Sequence, residues 1–492
     1  MGGLAAAWAL PDILLADPYR LFRFRENALG GWVRVRGRVR ARGRGLARVG
    51  VTDGFTTVAT DSAGDYTLET HPSARFVSLV LPSGYRIPTT GKGTVALHRP
   101  LQPGRTREAQ QVFELEPLET PDTQHAFLLL ADPQTENRLE TERLHRETVP
   151  DVQATVTRLG DRHTFGVSCG DIMFDDLTLY PEYERAVASM GIPFFQVVGN
   201  HDLDQDAPSD RDTTRTFERH FGPTYYAFNR GEVHYVVLDD VLWYGTGYVG
   251  YLDADQLDWL ASDLKLVPPG ATVVVSLHIP LESSMSARTG DPHSKISQTV
   301  NNREALYRLL EPYRAYVLAG HTHELEHRTQ GRLREHIHGT VCGAWWSGQI
   351  CWDGTPNGYE VYEVNGSDLR WEYRATGQQG NPQLRVYPQG TDPAAPTDIV
   401  ANVWDWDPAW KVVWYENGER RGAMSRRLGR DPRSVTEQTG PDLPPRRAWV
   451  EPVPTSHLFY AAVSSPSTRV LAEATDPWGR VHRSAELAAA RR

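Results

Sequence analysis

From about Gly31 to Pro117, apolar and polar positions alternate in short segments: Trp32-Val33-Arg34-Val35-Arg36-Gly37-Arg38-Val39, Val49 to Thr52, Thr57 to Tyr66 and Phe76 to Val80. A period of two is that of a strand with one buried face, and the Gly and Asp residues between the segments are turn formers. Asp53-Gly54 and Asp61-Ser62-Ala63-Gly64-Asp65 are turn sequences of this kind. Residues 31–120 are therefore predicted to form a small β-sandwich.

From Pro121 to Arg374 the pattern changes to continuous apolar runs separated by helical spacing. Strands are predicted at Ala126 to Ala131, Phe165 to Cys169, Pro193 to Val198, Val233 to Leu238, Thr272 to Leu277 and Ala315 to Ala319. Tyr180 to Met190, Ala254 to Leu264 and Arg303 to Tyr313 have apolar residues at helical intervals, and Asn229-Arg230-Gly231 reads as a hairpin turn. The expected fold class of residues 121–374 is α/β (α+β), β-sheets flanked by helices. Residues 375–492 return to short strands and turns, a second β-rich domain, within which Arg426 to Pro445 reads as a long surface loop. Residues 1–30 form an N-terminal segment, apolar and small at its start but without an early Lys or Arg. It reads either as the remnant of an export signal or as a frayed terminus.

Length and composition narrow the class. A chain of 492 residues exceeds one hydrophobic core, and 40% hydrophobic residues with 14 Trp and 20 Tyr exclude a disordered chain. A net charge of −10 argues against a general nucleic-acid binder, whose affinity comes from clustered Lys and Arg, but leaves a small phosphorylated substrate open. No stretch is apolar and long enough to predict a membrane span. Three cysteines, Cys169, Cys342 and Cys351, are too few for a disulfide framework. Cys342 and Cys351 are close enough in sequence to pair, and two buried thiols are the alternative.

The chemistry lies where the central strands end. The first ends in Asp132-Pro133-Gln134, the second in Gly170-Asp171, the third in Gly199-Asn200-His201-Asp202, the fifth in His278-Ile279-Pro280 and the sixth in Gly320-His321-Thr322-His323. Polar groups at the carboxyl ends of buried strands occupy the usual place of a ligand site. Carboxylates, imidazoles and a carboxamide gathered at one edge repel unless cations intervene. Mixed nitrogen and oxygen donors suit iron, manganese, zinc or cobalt rather than calcium, an oxygen from Gln134 would favour manganese or magnesium, and there are enough donors for two ions.

In order and spacing these motifs resemble those of the calcineurin-like metallophosphoesterases. The N-terminal sandwich resembles transthyretin-like modules, and Gly343 to Gly348, Asn357-Gly358-Tyr359 and Ala474 to Arg480 are similar to bacterial members with a C-terminal β-domain. The resemblance implies a binuclear metal-dependent phosphoesterase acting on a phosphomonoester or small phosphodiester by attack of a metal-bridging hydroxide. By it, Asp132 and His323 hold the first metal, Asn200, His278 and His321 the second, and Asp171 bridges them. His201 is then no ligand but the acid or charge stabiliser at the leaving oxygen, with Asp202 as its orienting carboxylate. Gln134 stands where the family pattern has His, so it offers a carboxamide oxygen to the first metal or none.

Asp175 and Asp176 read as acceptors for imidazoles or as the cap of the next helix. His125, His234, His336 and His338 read as structural, and the loop from Leu281 to Asn301, with His293, as a substrate-contact region. Tyr244, Trp345 and Trp346 read as packing between domains or as an aromatic wall. Two alternatives stay open: a cell-envelope binding protein with a degenerate central domain, and a nuclease of the same superfamily. Sandwich modules and the apolar start lean towards export, and the oligomeric state is not legible.

Overall fold

Strands buried on both faces need apolar residues at successive positions, and the central strands of this chain have them. The computed structural model describes residues 33–101, 108–290, 295–439 and 449–490. The segment 1–30 and His293 lie outside the described residues.

The central region contains β1 (Gln124–Leu130), β2 (His163–Cys169), β3 (Phe194–Val197), β4 (Tyr226–Arg230), β5 (Val233–Val237), β6 (Thr272–Ser276), β7 (Arg314–Ala319), β8 (Glu326–Gln330), β9 (Leu333–Ile337), β10 (Gly358–Asn365) and β11 (Asp368–Ala375). They form two sheets, ordered β3-β2-β1-β10-β11 and β4-β5-β6-β7-β9-β8. β1, β2 and β3 run parallel, as do β5, β6, β7 and β9, so both sheets present carboxyl ends at the same kind of edge.

Alternation along β1 shows how the layers pack. Phe127 and Leu129 face the second sheet, joining a core with Phe165, Phe195, Phe228, Tyr235 and Tyr362. Ala126, Leu128 and Leu130 turn to the outer core beneath the helices, with Val152, Tyr183 and Val187. The sheets touch through aromatic stacking, Phe195 on Phe228 at 3.8 Å. The outer helices include α1 (Val149–Leu159), α2 (Tyr180–Met190) and α3 (Ala254–Asp263), the last capped by Asp253 through Gln256 N–H at 2.8 Å. α4 (Met285–Thr289) and α5 (Arg303–Leu310) follow. α5 ends before the expected Tyr313, where Pro312 has no N–H to continue the helical hydrogen bonds.

Two β-sandwiches cover the sheet margins. The N-terminal one pairs Val33–Ala41 with Asp65–Thr70 and Glu108–Leu115, and sets Gly50–Thr52, Thr57–Ala59, Phe76–Leu79 and His98–Pro100 opposite. It bridges to both central edges, Thr94 to Phe194 and Leu81 to Phe228. The C-terminal β-rich part packs Trp478 on Trp371 of β11 at 4.5 Å.

Of the stretch from Arg426 to Pro445, expected to be a loop, the residues up to Thr439 are described and correct that expectation, while 440–445 lie outside the described residues. Ser425–Arg430 is a strand paired with Pro454–Ala462, and Pro432–Gln438 is a helix. Asp431 caps that helix through the Arg433 and Ser434 N–H groups, with Pro at the first helical position. The cysteines are free and buried, so Cys342 and Cys351 do not pair.

Candidate metal centre

Each predicted strand end delivers its polar residues to one place. Asp132 and Gln134 follow β1, Asp171 follows β2, Asn200 and His201 follow β3, His278 follows β6, and His321 and His323 follow β7. The backbone is strained there: φ is +45° at Asp132, +39° at Gln134, +45° at Asp171, +70° at His321 and +53° at His323. Such conformations cost about 1–3 kcal/mol each and persist where the surroundings hold them. The glycines in the motifs have a steric reason. A Cβ at Gly199 would lie 2.3 Å from Asp171 Oδ1, and one at Gly320 would lie 2.3 Å from Asp132 Oδ2.

The imidazoles are oriented by backbone carbonyls. His278 Nδ1 donates to Cys169 O at 3.1 Å, His323 Nδ1 to Gly343 O at 2.5 Å, and His321 Nε2 to Ser297 O at 2.9 Å. The opposite nitrogens are turned inward, towards one another and the carboxylates. His278 Nε2 lies 3.2 Å from His321 Nδ1, 3.2 Å from Asn200 Oδ1 and 3.3 Å from Asp171 Oδ1. One ligand atom from each of Asp171, His278 and His321 falls within 4.8 Å of the others. Beside them His323 Nε2 lies 3.6 Å from Asp132 Oδ1, and the His321 N–H donates to Asp132 at 3.1 Å.

Electrostatics describe the same demand for positive charge. His278 is driven up to about 10: burial opposes its protonation, but the Asp171 and Asp132 carboxylates overrule burial. Burial raises Asp132, while at Asp171 burial is outweighed by His278 and His201 and its carboxyl stays low. Burial and the His278 charge push His321 down to about 3, and burial pushes His323 to about 4. Four ligand atoms gathered where the protein favours a positive charge become, once a cation takes the place of the His278 proton, the donor set of a divalent cation with mixed nitrogen and oxygen ligands. The residues present fit such a group.

Gln134 reaches the cluster but turns its NH2 to it, donating to Asp171 Oδ2 at 3.0 Å, while its oxygen faces Cys342 Sγ at 3.7 Å. In this orientation it supports the central carboxylate.

His201 stands at the rim, a quarter exposed, with its N–H donating to Asp171 Oδ1 at 2.9 Å. Its ring is held on one side by Phe174, stacked at 4.2 Å. The orienting carboxylate is Asp175, whose Oδ1 is 2.8 Å from His201 Nδ1 and also accepts from Gln205 at 2.6 Å. This corrects the expectation for Asp202. That side chain is fully buried and accepts from the Gly199, Ile172 and Met173 N–H groups and the Tyr180 hydroxyl, so it fastens the turn instead of the imidazole. Burial and Asp171 push its carboxyl up to about 7. Asp176 takes the capping job, accepting from Thr178 N–H at 3.1 Å.

The remaining histidines have structural partners: His125 with the Tyr235 hydroxyl, His234 with Asp263, and His336 and His338 with the Tyr362 hydroxyl. Of the aromatic residues singled out, Trp346 packs in the interior with its indole N–H on Pro133 O, and Tyr244 is exposed. Trp345 stacks on His323 at 3.9 Å. Sequence reasoning missed Phe174, Trp449 and the Ser297 and Gly343 carbonyls.

Sequence profiles described as the N-terminal part, the body and the C-terminal part of calcineurin-like phosphoesterase match residues 33–118, 125–325 and 335–482. Purple acid phosphatase 15 of Arabidopsis thaliana is 29% identical over 149 residues, 27% of this chain and 25% of that protein, so the match spans a quarter of that relative's length. Among solved structures, purple acid phosphatase PPD1 from yellow lupin (Lupinus luteus) is 12% identical, covering 70% of this chain and 66% of that chain with a TM-score of 0.38. A dimetal phosphatase from Danio rerio is 14% identical, covering 52% and 99% with a TM-score of 0.33. On the three consecutive profile matches, the chain belongs to the calcineurin-like phosphoesterase family.

Proposed function

We propose that the protein hydrolyses a phosphomonoester or small phosphodiester at a centre for two divalent cations, Asn200, His278 and His321 holding one, Asp132 and His323 the other, and Asp171 both. The observation that carries this reading is the convergence of His278 Nε2, His321 Nδ1, Asn200 Oδ1 and Asp171 Oδ1, a mixed nitrogen and oxygen set that a cation can take over from the His278 proton. When bound, such ions neutralise phosphoryl charge and lower the pKa of a coordinated water.

The chain's own residues do the rest. Gln134 and the His201 N–H fix the Asp171 carboxylate by hydrogen bonds. Asp175 ties His201 Nδ1, which leaves Nε2 to give its proton to the departing ester oxygen. A new phosphorus–oxygen bond forms to water's oxygen as the bond to the leaving oxygen breaks; that oxygen takes the His201 proton, and the proton lost by the water passes to solvent, from which His201 is reprotonated.

The experiment is a phosphoester panel of simple monoesters, diesters, nucleotides and phosphosugars. It is run on protein stripped of metal and reloaded with manganese, iron, zinc or magnesium, with metal content measured alongside. Metal-dependent phosphate release supports the reading. Absence of turnover with every metal, or turnover indifferent to chelator, overturns it. His201→Ala is expected to keep its metal and lose about 10²–10⁴ in kcat.

A further inference from the structure

The strand-end donors do not divide evenly between two cation positions. On one side His278 Nε2 has His321 Nδ1 at 3.2 Å, Asn200 Oδ1 at 3.2 Å and Asp171 Oδ1 at 3.3 Å around it. The other side offers the Asp132 carboxylate and His323 Nε2, 3.6 Å apart. Both Asp132 oxygens already accept from the His321 N–H, at 3.2 and 3.1 Å. The second oxygen of Asp171, Oδ2, accepts from the Gln134 NH2 at 3.0 Å.

Gln134 belongs to the side with fewer donors. Its Oε1 faces Cys342 Sγ at 3.7 Å, and Cys342 Sγ is in turn 3.6 Å from His323 Nδ1. The residue is 1% exposed, and its backbone N–H donates to Asp171 O at 2.9 Å, so main chain and side chain are both tied to Asp171. A carboxamide ligates through its oxygen, because its nitrogen carries two hydrogens and serves only as a donor. Turning the amide over to bring the oxygen inward would set it against the Asp171 carboxylate, oxygen to oxygen. It would also forfeit a hydrogen bond to a charged acceptor, one of the stronger kind. The amide therefore presents the positive end of its dipole on the Asp132 and His323 side. We propose that Gln134 makes the two positions unequal: the one built by Asn200, His278, His321 and Asp171 retains its cation, and the one built by Asp132, His323 and Asp171 takes its cation reversibly. The centre is then complete only when free divalent metal is plentiful. This rests on the two-cation reading above.

The test is manganese binding to the full chain after metal is stripped, read by calorimetry, by metal content after desalting and by electron paramagnetic resonance. The wild type is expected to keep one manganese per chain on desalting and to bind a second about 10–100-fold more weakly, the scale by which groups around a ligand set tune affinity. At one equivalent the resonance should be that of an isolated ion, with a spin-coupled pair appearing only in excess metal. His278→Ala should lose the retained ion, whereas His323→Ala should keep it and lose the weak one. Gln134→His replaces the NH2 by a group with a lone pair and should retain two ions. Gln134→Glu, closest in size, should narrow the difference in the same direction if the histidine variant does not fold. Two ions held alike by the wild type, or a retained ion that is lost in His323→Ala and kept in His278→Ala, overturns the inequality. Folded Gln134 variants that keep the wild-type difference between their two ions overturn the role of Gln134. Phosphate release is read on the same samples. One tight and one weak ion without release from any ester would sink the phosphoesterase reading and leave the inequality standing. Two equal ions with metal-dependent release would do the reverse, and a wild type that binds no manganese overturns both.

Discussion

Replacing Asp175 by Asn tests which carboxylate orients His201. The substitution keeps the shape and the Gln205 contact but removes the negative charge 2.8 Å from His201 Nδ1. A hydrogen bond to a charged group contributes about 1.5–3 kcal/mol, and with the Asp175 side chain 44% exposed the low end applies. A loss of about 1.5 kcal/mol from the transition state is about tenfold in kcat. KM, metal content and Tm should stay near wild-type values, since Asp175 ties no other buried element. Asp202→Asn is the matched control. It presents an NH2 to backbone N–H donors in a fully buried turn, at a cost of about 2 kcal/mol and roughly 4–8 °C in Tm. The assay is steady-state phosphate release with Tm and metal content on both variants. If Asp175→Asn stays within twofold of wild type in kcat while Asp202→Asn loses rate with its Tm and metal intact, the assignment of Asp175 is wrong.

Other consequences are quicker to state. Arg230 and Asp122 form an ion pair with side chains 3% and 6% exposed, so Asp122→Ala leaves a buried guanidinium and should cost about 3–5 kcal/mol, read as a lower urea midpoint. Burial pushes Glu335 up to about 8 from an ordinary value of 4.5, so the folded state holds its proton across that window. Stability from this group is therefore lost as pH rises from 4.5 to 8, and the fall in Tm over that range should be shallower in Glu335→Gln; an equal slope would refute the attribution. Arg288 is buried, bonds Glu324 at 2.5 Å directly after His323, and donates to Pro454 O of the C-terminal part. Arg288→Ala should weaken retention of the divalent metal in a chelator competition, with partial rescue by Arg288→Lys.

Much of the architecture was legible because its causes are local. β1, β2 and β3 are apolar at successive positions because helices cover one face and the other sheet covers the second. The tip residues stood out because each follows such a run, often after a glycine that a Cβ could not replace. What stayed hidden depends on distant partners. Nothing in the order Asn200-His201-Asp202 reveals that the turn sends Asp202 inward to three N–H groups and brings Asp175, 26 residues earlier, against His201. The carbonyls of Ser297 and Gly343 orient two imidazoles with no side-chain signature at all. Trp449 comes from another part of the chain, and only the fold brings it beside Phe174. Arg426 to Arg430 read as loop because both faces of an edge strand can carry arginine, while the Asp431-Pro432 helix start was a signal available in the sequence.

The central claim is that the strand-end donors bind the cations on which hydrolysis depends, and Asp171, which touches His278, His201 and Gln134, is the residue on which to test it. The measurement is metal content and phosphate release on the same samples of wild type and Asp171→Asn, with far-ultraviolet circular dichroism to confirm the fold. The account predicts a wild type that binds divalent metal and hydrolyses phosphoesters, and a folded Asp171→Asn that loses both together. A metal-free Asp171→Asn that turns over at the wild-type rate would contradict it.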